Sequence, residues 1–140
     1  MFTHILTLTD SVTKRTKGKI TEGGVSMYKT KRDYAQDKLC REIGNGCRIL
    51  RVDGERCIYR DFGNGFNVEV SGTHTTSKRR KAVIFLWYGS AFTVTCIKEV
   101  PFSEIGNVIN RLYDYTCELC RTGAATEENL RELRYERPQV

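Results

Sequence analysis

Histidine is scarce in this chain: His4 and His74 are the two among 140 residues. General base chemistry and transition-metal ligation therefore have few positions to occupy. The carboxylates Asp53, Glu55, Asp61 and Glu69 are scattered over hairpins, Asp53 is accounted for by a turn, and none is evidently placed to orient His74. A Walker loop is missing, since Gly63-Asn64-Gly65 reads as a hairpin turn rather than a phosphate cradle. Long apolar runs are absent as well. The longest is Ala82 to Tyr88, far below the roughly 20 residues that cross a bilayer. The opening stretch, Met1 to Asp10, has neither a basic n-region nor a sustained apolar segment. The expectation is a cytoplasmic protein of a bacterial host cell, with no membrane partner.

Cysteine is not scarce. The six thiols, Cys40, Cys47, Cys57, Cys96, Cys117 and Cys120, would make three disulfides in a secreted protein, but without an export signal reduced thiols are expected. Cys117-Glu-Leu-Cys120 closes a periodic helix, whereas zinc pairs sit on turns and redox pairs open helices. Both residues are expected to be buried and unreactive, and neither a metal nor any other cofactor is expected.

Positive charge is plentiful, with 23 Lys and Arg against 17 Asp and Glu, a formal charge of +6 and a pI near 9.1. That balance favours nucleic acid or another polyanion as partner. Part of it lies in residues 1–26, where Thr13-Lys-Arg-Thr-Lys-Gly-Lys19 reads as a flexible basic arm. Glu22-Gly23-Gly24, two codons before Met27, also fits an encoded ribosome-binding sequence, which would make Met27 the true start and residues 1–26 a mis-annotated leader. Linker composition explains the same residues. The leader holds four of the 23 cations and two of the 17 anions, so residues 27–140 stay basic without it.

Residues 27–140 read as a single α+β domain. Ala35, Leu39 and Ile43 recur every four residues over Tyr28 to Ile43, which predicts a helix that stops at Gly44. Asp53-Gly54 joins strands Cys47–Val52 and Arg56–Phe62 as a two-residue hairpin. Phe66, Val68 and Val70 alternate with Asn67, Glu69 and Ser71, which predicts a strand with one wet face. Ala82 to Tyr88 does not alternate, which predicts a central strand covered on both faces. Phe92, Val94 and Cys96 are expected to share one face of the next strand. Ile105, Val108, Ile109, Leu112, Thr116, Leu119 and Cys120 predict a long amphipathic helix, and Thr126 caps a short one through Tyr135 that Pro138 stops. The sum is a five-stranded antiparallel meander flanked by an N-terminal helix and C-terminal helices, all packed on one sheet face.

The candidate site is the stretch between the third and fourth strands. Lys78, Arg79, Arg80 and Lys81, with the hydroxyls of Thr73, Thr75, Thr76 and Ser77 and the His74 imidazole, place cations and donors on a hairpin tip, and phosphate oxygens accept from these groups. Lys31 and Arg32 of the first helix extend the footprint if they share its side of the molecule; Lys29, Arg48 and Arg51 are further cations. A loop kept soluble by charge, guarding an aggregation-prone strand, explains the same residues. The aromatics at strand spacing are expected mostly to pack the core.

The functional expectation is a non-enzymatic basic binding protein of phage or mobile-element type. It would act on nucleic acid or on a nucleic-acid-handling complex such as a Cas nuclease, in the latter case as an anti-CRISPR-like inhibitor of a host defence nuclease. Such an inhibitor would dock its loop where the nuclease holds phosphate, or grip guide RNA. A small metal-dependent nuclease or nucleotide-handling enzyme using His74 is the second reading, and a homodimeric interaction module is the third.

Overall fold

Thr30 starts the first helix through a reciprocal cap: its hydroxyl accepts the Asp33 amide at 3.1 Å, and the Asp33 carboxylate accepts the Thr30 amide at 3.0 Å. In the computed structural model, which describes residues 28–90 and 92–133, helix α1 spans Lys31–Ile43 and ends at Gly44 with φ 65°. The arm or leader of residues 1–26, the Met27 start, and the expected end of the last helix at Tyr135 with its stop at Pro138 lie outside the described residues.

Five strands follow: β1 (Arg48–Val52), β2 (Glu55–Asp61), β3 (Phe66–Ser71), β4 (Lys81–Tyr88) and β5 (Phe92–Pro101). They pair antiparallel in sequence order, as a meander. The β1–β2 connection is tight because Asp53 and Gly54 both adopt positive φ, 53° and 81°, the geometry that a two-residue hairpin requires. A short 3-10 turn at Phe102–Glu104 leads into α2 (Ile105–Arg121). Helix α3 (Glu127–Leu133) follows, with the Asn129 amide donating to the Thr126 hydroxyl at 3.2 Å.

The three described helices lie on one face of the sheet. Ile58, Val68, Val70, Ala82, Ile84 and Leu86 from the strands form one cluster with Cys40 of α1, Ile105, Ile109, Leu112 and Leu119 of α2, and Leu130 of α3. The α+β meander expected from the sequence is therefore present, but four local expectations need correction.

The strand covered on both faces is β3 rather than β4. Asn67 and Glu69, expected on a wet face, are buried, at 7% and 8% exposure. β3 is the middle strand, so these side chains stand between those of its neighbours: Tyr59 and Phe85 flank Glu69, and Trp87 faces Asn67. β4 instead shows the alternation, with Ala82, Ile84 and Leu86 buried and Val83 and Phe85 partly exposed. The inward stripe of α1 is rotated by one residue. Gln36 and Cys40 are its buried positions, and Leu39 and Ile43 only flank the core. A register shift between Leu86 and Trp87 pairs them with Thr95 and Thr93, skipping Val94. Cys96 therefore pairs with Phe85 on the face opposite α1, α2 and α3 and does not share a face with Phe92. Finally, Cys120 is exposed and Cys117 only partly buried. No disulfide joins any two of the six cysteines. Among the described residues no helix is long and apolar enough to cross a membrane.

Candidate functional site

The loop between β3 and β4 opens at Gly72, whose φ is +86°. That left-handed conformation favours glycine, while a Cβ there would meet the Lys81 carbonyl oxygen at an ordinary 3.4 Å. Three anchors pin the base of the loop. The Glu55 carboxylate accepts the Gly72 amide at 3.1 Å and the Ser71 hydroxyl at 2.8 Å. The Gln36 side-chain amide donates to the Thr73 hydroxyl at 2.9 Å and to the Arg56 carbonyl at 2.8 Å. His74 Nε2 meets Asp33 Oδ1 at 2.6 Å.

Beyond the anchors the loop folds on its own hydroxyls. Thr75 Oγ1 accepts the Ser77 amide at 3.1 Å, and Ser77 Oγ accepts the Arg79 amide at 3.3 Å, two successive turns of the kind that Ser and Thr favour. Thr76, Ser77, Lys78, Arg79, Arg80 and Lys81 are all exposed. None of the four cations forms an ion pair with a described carboxylate. The loop is thus fastened at its base and bare at its tip.

The fastening reaches α1 through a charged network. Asp33 meets Arg56 at 3.4 Å as well as His74, and Asp37 takes Arg56 at 3.1 Å and Lys29 at 2.7 Å. Burial works against ionising Asp33, yet the Thr30 amide, His74, Arg56 and the Thr30 hydroxyl together hold its carboxyl down at about 2. Asp37 is likewise lowered, with burial opposed by Lys29 and Arg56. Both carboxylates are therefore already partnered within this network.

His74, expected in the binding surface or as a base without an orienting group, does have such a group. It is Asp33, 41 residues earlier in the chain. Sequence distance hid the pair, because the contact depends on how α1 packs across the end of the sheet. The same contact ties the basic loop to the helical turn that carries Lys31 and Arg32, both exposed. The other cations do not join them. Lys29 is committed to Asp37, Arg51 donates to the Gly54 carbonyl at the β1–β2 turn, and Arg48 lies over the Tyr59 ring, 5.6 Å from its centroid.

Sequence reasoning passed over Tyr34. With Tyr28 it is one of the large exposed hydrophobic side chains among the described residues, at 61% and 84% exposure. Lys31, Tyr34, Lys38 and Arg41 are all exposed on α1, and their spacing of three, four and three residues puts them on one outward stripe. That spacing is legible in the sequence, but which stripe of the helix meets water is decided by packing against the sheet.

The Cys-x-x-Cys pair lies against the turn at Asn64. The Asn64 side-chain amide approaches Cys117 Sγ at 3.9 Å and Cys120 Sγ approaches the Asn64 carbonyl at 3.6 Å. Among the described residues no three His, Cys, Asp or Glu side chains are grouped to hold a metal ion. Comparison with protein-family models, curated proteins and solved structures finds no match to this chain.

Proposed function

We propose that this protein binds nucleic acid, free or within a nucleoprotein complex, through the β3–β4 loop and the exposed stripe of α1. One observation carries the reading: Lys78, Arg79 and Arg80 stand exposed on a loop whose base is held by Glu55, Gln36 and Asp33, and Lys81, exposed as well, begins β4 beside them. Cations without an internal partner gain affinity for phosphate by releasing condensed counterions, and a pinned base lowers the entropy lost on contact. The gatekeeper explanation needs the charge but not the three anchors.

The charge also sorts the modes open to an inhibitor of a nuclease. A groove that holds phosphate is itself cationic and repels Lys78–Lys81, whereas guide RNA has the complementary sign. Gripping the RNA of a nucleoprotein is therefore the mode that this loop suits.

Binding of fluorescently labelled RNA and DNA, measured by anisotropy through a salt series, is expected to weaken linearly in log–log form as salt rises. Affinity independent of salt contradicts the reading. A pull-down from lysate with and without nuclease digestion separates the forms: loss of everything after digestion means free nucleic acid, and retention of one protein means a complex.

Hydrolysis is the second reading, and the His74–Asp33 contact favours it, because a carboxylate that orients an imidazole is what a general base requires. Cleavage of DNA or RNA that needs a divalent metal and disappears in His74→Ala would replace the binding reading.

A further inference from the structure

The exposed stripe on α1 narrows the class of nucleic acid, an inference that rests on the binding function just proposed. Lys31, Tyr34, Lys38 and Arg41 face outward together, and ten residues of helix spread them over about 15 Å. Asp33 and Asp37 of the same helix are occupied by His74, Arg56 and Lys29. The outward face is therefore cationic around one aromatic ring, with Glu42 the exposed carboxylate of the helix. Lys29 Nζ lies 5.7 Å from the Tyr34 ring centroid while bonded to Asp37, which helps to keep the side chain in place. At its C-terminal end the stripe borders an open cleft lined by Lys29, Asp37, Arg41 and Gly44 to Gly46.

A tyrosine ring kept in water between cations has a specific use. Alternating positive charge and aromatic rings is how proteins hold unpaired strands, with phosphates on the cations and base faces on the rings. In a duplex every internal base face is already stacked on its neighbours, so an exposed ring on a convex helix gains nothing from it. We infer that the ligand is single-stranded nucleic acid, with a base stacked on Tyr34 and the adjoining phosphates held by Lys31, Lys38 and Arg41. The strand continues past Asp33–His74 onto the β3–β4 loop, where Lys78–Lys81 take further phosphates.

The test uses the full chain, a labelled oligothymidylate without internal pairing, and a duplex of the same length. Wild type is expected to prefer the single strand. Tyr34→Ala should weaken single-strand binding roughly tenfold, the size of one lost stacking contact, and leave duplex binding nearly unchanged. Tyr34→Phe should retain single-strand affinity, because the ring and not the hydroxyl does the stacking. The salt slope should be the same in Tyr34→Ala as in wild type, since stacking releases no counterions. Equal loss on both ligands, no loss on either, or a preference for the duplex overturns the stacking inference while nucleic-acid binding stands. Absence of binding to both ligands by wild type overturns the inference together with the function on which it rests.

Discussion

Leu112→Ala should lower the stability of the folded chain by about 2–5 kcal/mol. Leu112 has no exposed surface and stands in the cluster shared by α2 and the sheet. Truncation removes buried methyl groups and leaves a void that a sheet fixed by four ladders cannot close by shifting. Urea unfolding is the direct measurement. The midpoint should fall with little change in slope, because the surface exposed on unfolding is nearly the same. An unchanged midpoint would mean that α2 does not pack on the sheet through this face.

Glu69 should make stability depend on pH in the opposite sense to an ordinary ion-paired carboxylate. Burial pushes its carboxyl up to about 7; Glu55 and Asp53 add to the rise, and the Cys57 thiol and the Trp87 indole offset part of it. The thiol lies 3.6 Å from Glu69 Oε2. Folding thus strengthens the hold of Glu69 on its proton. The stabilising contribution is fully present below the ordinary 4.5 and is lost as pH rises through about 7. The span from 4.5 to about 7 corresponds to on the order of 3 kcal/mol. Glu69→Gln, which keeps the shape without the charge, should flatten the profile and melt above wild type at pH 8. Parallel melting curves for the two proteins between pH 5 and pH 8 would contradict this.

What the sequence revealed depended on how local the physics was. The Asp53-Gly54 turn, the Thr126 cap, the Gly44 stop and the strand order were legible because each is decided by a few adjacent residues. The inward face of α1 was not, because Gln36 is polar and yet fully buried, with partners on Arg56 and Thr73 supplied by a strand and a loop. Glu69 misled for the same reason: a carboxylate in an alternating strand reads as solvated, and only its place in the middle of the sheet buries it. The loop cations were legible as a run of charge. Their anchorage was not, since Asp33 and Gln36 come from an element far away in sequence. Tyr34 lay in plain view at helical spacing, but an exposed ring is recognised only once the buried side of the helix is known.

The most direct test of the central claim is the variant in which Lys78, Arg79, Arg80 and Lys81 are all alanine, compared with wild type for binding single-stranded nucleic acid across a salt series. The exposure of the four side chains leads us to expect unchanged unfolding. Affinity at low salt should fall by roughly a hundredfold, and the log–log salt slope should drop by about three as four phosphate contacts are lost. Wild-type affinity with the full salt slope, in a variant that remains folded, would show that the loop does not hold the ligand.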